Sequence, residues 1–444
     1  MRPRTDPGPS GPVTWLARAI AHIFYRVDCV GAPPPGGPLL LLPNHPNALL
    51  DPVLVIATAG RPVRFLAKST LFKGAFGPLM RAAGAIPVYR RQDTEDVKRN
   101  AESFAAVDAA LSRGEAICIF PEGISHSSGM LEPLRTGAAR MALSAAAAGV
   151  DVRLVAVGIN LEHKTAFRSR VTVAYGEPMA VAPVGTSAGS KQAVHTLTAD
   201  ITARMRSVLV EAEPTQDAAL VERLRRLFES ERPASGREEL LDRGRLIAEG
   251  LQRLRRERPE WYEEALVQLR RYDDRLRRFG LADSALDLEV SPRAVSRFVL
   301  RELPLAFVLV PLASFAIAVF AAPYAMTAAA AKLSKDTDVT ATMKALGGIA
   351  IYGVWIAVIS VVIGLSFGPA TGAAGVVLLP ALAVAGLFAL ERESSAWQTA
   401  RSWLAVHSAH PTTTKVLKRR RAELALVLEQ VYKELSLGVP TDSR

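Results

Sequence analysis

The sequence predicts an α/β domain with a largely parallel sheet flanked by helices, followed by an amphipathic helical region and C-terminal transmembrane helices. Up to Tyr175, short apolar runs alternate with charged helical stretches, a pattern typical of repeated βα units. Residues 214–279 are rich in Glu and Arg, with apolar residues at helical spacing. Three apolar stretches at residues 303–331, 345–366 and 369–390 are each long enough to cross a bilayer, by the rule of about 20 apolar residues.

Composition indicates which partners to expect. The chain has 444 residues, a net charge of +11 and an isoelectric point near 9.9. Basic charge combined with long apolar runs indicates attraction to anionic membrane lipids, and the sequence lacks the aromatic-basic interleaving of a nucleic-acid module. The two cysteines, Cys29 and Cys118, lie in largely apolar contexts without metal-ligand spacing. We therefore predict membrane lipids as partners, no nucleic acid, no metal, and reduced cysteines in a cytoplasmic domain.

Changes in composition divide the chain into five parts. The N-terminal leader includes an amphipathic segment from Trp15 to Arg26, which fits either an interfacial helix or an ordinary surface helix docked on the domain. The predicted boundaries are the leader at 1–36, the domain that carries the chemistry at 37–213, a charged helical region at 214–302, a transmembrane region at 303–390 and a basic cytoplasmic tail at 391–444.

Residues that carry chemistry follow the predicted strands of the 37–213 domain. Apolar runs at residues 39–42, 86–89, 117–120 and 154–159 are followed by His45, by Arg90 and Arg91, by Glu122 and Gly123, and by Asn160. Because the carboxyl ends of parallel strands meet at one edge of a sheet, we expect these side chains to converge there.

His45 and Asp51 are the candidate catalytic pair. Asp51 follows His45 by six residues, at the end of one or two predicted helical turns, close enough to fold back onto the imidazole. Such a carboxylate makes the histidine a general base, because it fixes the tautomer, orients the ring and stabilises the imidazolium. A polar strand-to-helix turn with an incidental histidine is the alternative interpretation, which the other strand ends disfavour.

These blocks resemble the glycerolipid acyltransferase superfamily. The segment from His45 to Asp51 resembles its His-to-Asp signature, in a form one residue longer than usual, and residues 120–123 match its FPEG block. Residues 84–90 and 155–160 are similar to its two remaining blocks. The longer signature and the hydrophobic segments after the domain look most like the fungal-type glycerol-3-phosphate/dihydroxyacetone-phosphate acyltransferases.

The resemblance implies transfer of a fatty acyl group from a thioester donor to the hydroxyl of a phosphorylated three-carbon acceptor, glycerol 3-phosphate or dihydroxyacetone phosphate, in phospholipid biosynthesis. It implies His45 as the base and Asp51 as its partner. No cofactor is expected, with acyl-CoA or an acyl carrier protein thioester as co-substrate. The predicted substrate-binding residues are Arg90, Glu122, Gly123, Lys68, Arg135 and Asn44.

The same chemistry follows from the residue types. The cations at positions 68, 90 and 135 suit an acceptor phosphate, and the amides after Gly123, near Ile124, suit a developing oxyanion.

Two other functions remain open. A 1-acylglycerol-3-phosphate acyltransferase is the alternative within the class, because the same four blocks serve it. An inactive lipid-binding scaffold or a serine thioesterase is the alternative from another class. The Gly-x-Ser-x-Gly sequence at residues 185–189 follows Pro183 in a small-residue loop, so we interpret it as a linker rather than a nucleophile elbow. The presence of both His45 and Asp51 disfavours the scaffold.

The expected location is the cytoplasmic (inner) membrane, with an integral chain and the catalytic domain facing the cytoplasm. The basic cluster at residues 415–421 is expected on that same side, which requires an even number of crossings. Three full crossings would violate this. We therefore expect one stretch to be re-entrant or interfacial, with Pro311, Pro323 or Pro380 as the break.

Overall fold

The structure is a computed structural model. It describes residues 11–73, 77–89, 100–126, 128–164, 166–182, 190–212, 217–287, 292–332, 337–408 and 411–436. Arg90, Arg91 and residues 185–189 lie outside the described residues. The chain divides into two compact units, one from residues 1–219, 236–245 and 337–342, the other from 220–235, 246–336 and 343–444.

The first unit alternates strands with helices. Its helices are α1 (Pro12–Phe24), α2 (Leu50–Thr58), α3 (Gly77–Ala82), α4 (Asn100–Ser112), α5 (Gly137–Ala147) and α6 (Lys191–Arg206). Its strands are β1 (Tyr25–Val30), β2 (Leu39–Pro43), β3 (Val63–Lys68), β4 (Ile86–Val88), β5 (Ala116–Cys118), β6 (Arg153–Leu161), β7 (Ser169–Tyr175) and β8 (Met179–Ala180).

The eight strands in the described part of the chain form one sheet in the order β1, β7, β6, β2, β5, β3, β4, with β8 also paired to β6. Strand β2 pairs in parallel with β5 and β6, β3 pairs in parallel with β4 and β5, and β1 pairs in parallel with β7. Strands β7 and β8 run antiparallel to β6. The predicted largely parallel sheet flanked by helices is confirmed. The antiparallel step from β6 to β7 arises because the loop between them is too short for a crossover.

Strand β2 lies at the centre of the sheet, and its four leucines, residues 39–42, are each at most 1% exposed. A strand covered on both faces does not alternate apolar with polar residues, which explains the continuous leucine run. Helices α4, α5 and α6 supply core residues against it, among them Leu111, Ala142 and Met205. Burying one such leucine contributes about 1.5–3 kcal/mol, so the register of β2 is firmly set where its loop begins after Pro43.

Two local expectations are wrong. The predicted leader helix ends at Phe24, because Tyr25 and Arg26 already belong to β1, which pairs with β7 at the sheet edge. Asp51 lies in the first turn of α2 rather than at the end of a helical stretch. Pro52 follows it there, where the missing N–H is not needed for an intrahelical bond.

The remaining elements of the chain are helical, as predicted. They are α7 (Ala218–Glu231), α8 (Arg237–Glu257), α9 (Pro259–Arg278), α10 (Pro292–Lys332), α11 (Thr337–Phe367), α12 (Pro369–Ser408) and α13 (Pro411–Ser436). The second unit contains a buried ionic cluster that joins several of these helices. In it, the guanidinium of Arg421 on α13 pairs with Glu231 on α7, and its Nη2 lies 2.6 Å from Oδ2 of Asp287.

Three helices among the described residues are long and apolar enough to cross a membrane: Val295–Ala330 within α10, Gly347–Phe367 within α11, and α12. Large apolar side chains stand exposed on them, including Phe307 at 83% and Leu365 at 84%. Pro311, Pro323 and Pro380 lie inside continuous helices, so the expectation that one of them breaks a stretch is wrong. Apolar helices tolerate internal proline where neighbouring groups satisfy the freed carbonyl.

Helices α10 and α12 pack against each other in antiparallel orientation. A Cβ built on Gly386 would lie 2.2 Å from the Cβ of Ala316, and Arg392 Nη2 lies 2.6 Å from Glu302 Oε2. Moving back along α10 from Ala316 to Glu302 thus corresponds to moving forward along α12 from Gly386 to Arg392. In a parallel pair these two charged residues would lie at opposite ends. The start of the apolar part of α10 and the end of the apolar part of α12 therefore lie at the same end of the helix pair.

Candidate active site

His45 and Asp51 meet just beyond the end of β2. Nδ1 of His45 lies 2.8 Å from Oδ2 of Asp51, so the carboxylate accepts a hydrogen bond from the imidazole N–H. The side chain of Asp51 is fully buried and that of His45 is 18% exposed. With its proton on Nδ1, His45 presents Nε2 as the proton acceptor, and this nitrogen has no hydrogen-bond partner among the described residues.

A left-handed residue accommodates the extra residue between His45 and Asp51. Ala48 has a φ of 46°, a conformation that side chains other than glycine rarely adopt. Its amide donates to Oγ of Ser125 at 3.1 Å, which holds the turn in place. The longer spacing is therefore compatible with direct contact between the imidazole and the carboxylate.

Asn47 anchors the same turn to the rest of the unit. Its backbone N–H donates to Oδ2 of Asp51 at 2.7 Å, the oxygen that also accepts from His45. Its side-chain amide donates to the hydroxyl of Tyr25 at 2.5 Å, and that hydroxyl donates to the carbonyl of Lys164 at 3.1 Å. The buried side chain of Asn47 thus ties the position of Asp51 to β1 and to the loop before β7.

Burial raises the pKa of the Asp51 carboxyl, while the hydrogen bond from His45, the imidazole charge and the amide of Asn47 oppose that rise. One carboxylate oxygen, Oδ1, is buried without a hydrogen-bond partner in the described part of the chain. Keeping Asp51 ionised therefore costs free energy of folding, and ionisable groups with shifted pKa values are common at functional sites.

Strand register places Glu122 beside His45. Leu41 of β2 pairs with Cys118 of β5 in parallel, and His45 and Glu122 each follow the paired residue by four positions. The amide of His45 donates to Oε1 of Glu122 at 2.8 Å. The predicted convergence of these two strand ends is observed.

A second histidine pairs with Glu122. Nε2 of His126 contacts Oε2 of Glu122, which also accepts the amide of Glu132 at 3.0 Å. Nδ1 of His126 lies 2.9 Å from Oγ of Ser128. Both ring nitrogens of His126 therefore have protein partners, and both carboxylate oxygens of the buried Glu122 accept protein donors.

Phe120 fixes the plane of the His45 ring. The two ring centroids lie 4.0 Å apart with an interplanar angle of 21°, a stacked geometry. Stacking and the bond to Asp51 together restrict rotation of the imidazole about both side-chain torsions. The direction of Nε2 is thereby set before any substrate binds.

Two of the predicted phosphate-binding cations, Lys68 and Arg135, are among the described residues, and they differ in burial. Lys68, half-buried, ends β3 three residues after Phe65, which pairs with Cys118, so it lies at the same sheet edge as His45. Arg135 is exposed, and its Cγ would lie 3.2 Å from a Cβ at Gly123, whose φ is 76°.

The two asparagines after β2 and within β6 make structural bonds. The side chain of Asn44 accepts the amide of Ile159 at 2.7 Å and donates to its carbonyl at 3.2 Å. Asn160 lies at the same sheet edge, three residues after Val157, which pairs with Pro43, and its side chain accepts the amide of Val210 and donates to the carbonyl of Val208 in the chain after α6. A role of Asn44 in substrate binding stays a prediction.

Of the two backbone N–H groups at Gly123 and Ile124, one already donates a hydrogen bond within the protein. The amide of Gly123 donates to the carbonyl of Phe120 at 3.1 Å. The amide of Ile124 has no partner among the residues that the structure describes, and its side chain is 41% exposed. Over the same residues, no group of three or more histidine, cysteine or carboxylate side chains could hold a metal ion.

Sequence reasoning assigns no role to His126, Asn47, Tyr25 or Ser125, which the structure brings to the site. Only His126 carried a signal, as a histidine four residues after Glu122 in the FPEG block. The contacts of Tyr25 with Asn47, and of Ser125 with the amide of Ala48, join segments far apart in sequence, so no local pattern reveals them.

A family model described as Acyltransferase matches residues 12–160, a range that contains both histidine–carboxylate pairs. In Saccharomyces cerevisiae, glycerol-3-phosphate O-acyltransferase 2 is 42% identical over 84 residues, which are 18% of this chain and 11% of that protein. In Homo sapiens, 1-acyl-sn-glycerol-3-phosphate acyltransferase alpha is 26% identical over 136 residues, 29% of this chain and 47% of that protein. The matches thus span about a tenth to a half of these relatives' lengths.

A solved structure is also similar. The crystal structure of the 1-acyl-sn-glycerophosphate acyltransferase PlsC from Thermotoga maritima is 18% identical, covering 44% of this chain and 76% of that chain with a TM-score of 0.31.

Proposed function

Because residues 12–160 form an acyltransferase domain, we propose that the chain moves a fatty acyl group from a thioester donor to the hydroxyl of glycerol 3-phosphate or dihydroxyacetone phosphate. One observation carries the chemistry: His45 bonds the buried Asp51 through Nδ1 and presents Nε2. The choice of acceptor rests on the yeast relative, whose name states glycerol 3-phosphate as its acceptor. The donor is acyl-CoA or an acyl carrier protein thioester, with no further cofactor.

In the proposed reaction, Nε2 of His45 takes the proton of the acceptor hydroxyl as its oxygen attacks the thioester carbonyl carbon. A C–O bond forms and the carbonyl oxygen becomes an oxyanion, for which the amide of Ile124 is the nearest candidate donor after Gly123. The C–S bond then breaks, and the leaving thiolate takes the proton back from the imidazolium of His45. Asp51 stabilises that imidazolium throughout.

Three cations are proposed to hold the acceptor phosphate. They are Lys68, at the end of β3, the exposed Arg135, and Arg90, which lies outside the described residues and comes two positions after Val88 in the sequence. A guanidinium binds phosphate through two parallel N–H donors, so Arg90→Lys should raise the acceptor KM several-fold and leave the donor KM unchanged. If Arg90→Ala leaves the acceptor KM unchanged, phosphate recognition moves to Lys68 or Arg135.

We also propose an integral chain in the cytoplasmic (inner) membrane, with the catalytic domain on the cytoplasmic face. The antiparallel packing of α10 and α12 supports two crossings that begin and end on one side, with α11, a continuous helix, as the interfacial stretch. The basic cluster at residues 415–421 follows α12 and favours the cytoplasm for that side.

Exposed serines flank the proposed pair of crossings and allow a direct test. Ser296 precedes the apolar stretch at residues 303–331, within α10, and Ser394 follows the apolar stretch at residues 369–390, within α12. An impermeant maleimide should label cysteines placed at both sites from the same, cytoplasmic, face of oriented vesicles. Labelling from opposite faces would contradict an even number of crossings.

The decisive assay of function uses purified full chain in detergent with acyl-CoA and three acceptors: glycerol 3-phosphate, dihydroxyacetone phosphate and lysophosphatidate. We expect transfer to one of the first two, at a rate above that with lysophosphatidate. Preference for lysophosphatidate would instead establish the 1-acylglycerol-3-phosphate acyltransferase, which similarity to the human relative keeps as second candidate. Hydrolysis of the thioester without transfer, or no reaction with any acceptor or donor, would reject the proposal in favour of a thioesterase or scaffold.

A further inference from the structure

We propose that His126 is a positioning residue for His45 and acts through Glu122. The proposal rests on the function proposed above, in which His45 is the base. It reassigns Glu122, predicted from the sequence to bind substrate, to the support of the catalytic histidine.

The backbone of His45 is held on both sides by the turn after β5. Its N–H donates to Oε1 of Glu122 at 2.8 Å, and its carbonyl accepts the amide of His126 at 3.1 Å. Movement of this turn therefore moves the peptide from which the catalytic imidazole extends. Because proton transfer needs close alignment, a shift of this peptide would lower the rate without removing any reacting group.

The orientation of Glu122 depends on a side-chain partner. Its Oε2 accepts the amide of Glu132 at 3.0 Å and contacts Nε2 of His126. The carboxylate side chain is fully buried, so the imidazole N–H supplies a donor that water does not replace without opening the site. Without that donor, the carboxylate is free to turn away from the His45 amide.

The His126 ring is itself fixed from the far side. Oγ of Ser128 lies 2.9 Å from its Nδ1 and 3.0 Å from the carbonyl oxygen of Met130. Nζ of Lys164 donates to the carbonyl of His126 at 3.3 Å. With both nitrogens bound to protein groups and 15% of its side chain exposed, the ring lacks the accessible nitrogen that His45 has. This geometry suits a support and not a proton acceptor.

Two amide substitutions separate positioning from substrate contact. His126→Gln keeps an N–H donor at the distance of Nε2, whereas the shorter side chain of His126→Asn places its donor near Nδ1, out of reach of Glu122. We expect His126→Asn to lower kcat about tenfold with both KM values within about twofold, and His126→Gln to retain most of kcat. His195→Asn, on the exposed face of α6, is the matched control and should behave as wild type.

Hydrogen exchange at the His45 amide supplies a readout that does not require activity. Pro43 and Pro46 carry no amide proton, so exchange between them reports only Asn44 and His45. Exchange at His45 should become about tenfold faster in His126→Asn and stay unchanged in His126→Gln.

The outcomes keep this proposal separate from the proposed reaction. Wild-type exchange in His126→Asn would overturn the positioning role, whether or not the chain transfers acyl groups. A rise in acceptor KM in both His126 variants, with kcat unchanged, would overturn it in favour of direct substrate contact. Absence of acyl transfer by the wild-type chain, with faster exchange in His126→Asn, would reject only the proposed reaction and leave the structural link intact.

Discussion

Two histidine–carboxylate pairs lie side by side in this site, and they differ in what the second ring nitrogen meets. His45 bonds Asp51 through Nδ1 and has no partner for Nε2 among the described residues. His126 bonds Glu122 through Nε2, and its Nδ1 meets Ser128. A carboxylate beside a histidine is thus insufficient to identify a base, since the pair must also leave one nitrogen accessible.

The two carboxylates differ as well. Asp51 is buried with one oxygen lacking a partner in the described structure, and burial raises its pKa. Glu122 is buried with both oxygens bonded to protein donors. Of these two carboxylates, Asp51 is the one with an incompletely satisfied charge, and it is the one assigned to catalysis, which agrees with the general observation that functional sites sacrifice stability.

The largest expected effect comes from removing the charge of Asp51. Asp51→Asn should lower kcat by about a hundredfold or more, because an amide donates to Nδ1 and leaves the proton on Nε2, the wrong tautomer for a base. Asp108→Asn is the matched control: Asp108 is half-buried on α4 and bonds Ser144. Steady-state kinetics on both variants checks this. Equal losses in the two would remove the distinction between Asp51 and an ordinary carboxylate.

The same substitution, which lowers activity, should make the folded chain more stable relative to wild type as pH rises. Unfolded Asp51 ionises near its ordinary pKa of 3.8, whereas the folded chain keeps the proton to higher pH because burial raises the pKa. As pH rises from about 4 through the raised pKa, the unfolded state binds fewer protons, so wild-type stability falls by about 1.4 kcal/mol for each pH unit between the two pKa values. Asp51→Asn lacks this loss.

Thermal melts in detergent between pH 4 and 7 measure that difference. The Tm of Asp51→Asn minus that of wild type should increase with pH. A difference that is constant or decreases would show that Asp51 is not held ionised against burial.

A smaller effect is expected at the ring that stacks on His45. Phe120→Leu removes an aromatic contact worth about 0.5–1.5 kcal/mol, so kcat should fall by about two- to tenfold while Asp51 still holds the imidazole. Phe120→Tyr keeps the ring face and should stay near wild type. Turnover of Phe120→Leu at the wild-type rate would show that Asp51 alone orients the base.

The smallest effect is expected at the left-handed turn. Ala48→Gly should raise the free energy of unfolding by up to about 1 kcal/mol, because glycine adopts the φ of 46° without strain. Ala57→Gly, inside α2, should instead lower it by about 0.5–1 kcal/mol. Chemical denaturation of both variants gives the comparison, and destabilisation by Ala48→Gly would show that the strain is not relieved.

Much of the site follows from sequence because it depends on strand register. The leucine run of β2 and the apolar run of β5 predict strands whose carboxyl ends meet at one edge, and the observed pairing of Leu41 with Cys118 then brings His45 and Glu122 together. The three apolar helices are likewise evident from composition alone.

What sequence did not reveal depends on tertiary contacts or on local backbone choices. The edge strand β1 has a mixed pattern that resembles a continuation of the leader helix, and only pairing with β7 makes it a strand. The left-handed turn at Ala48 lacks a glycine to mark it. The roles of Tyr25 and Asn47 arise from one hydrogen bond between distant segments.

One substitution made at both histidines tests the central claim most directly. Glutamine keeps an N–H donor at the position of Nε2 and cannot accept and return a proton as imidazole does. Acyl transfer by His45→Gln should fall to about 1% of wild type or less, while His126→Gln stays within about threefold. Comparable rates for the two variants, in chains whose melting temperatures match wild type, would contradict the assignment of His45 as base and His126 as support.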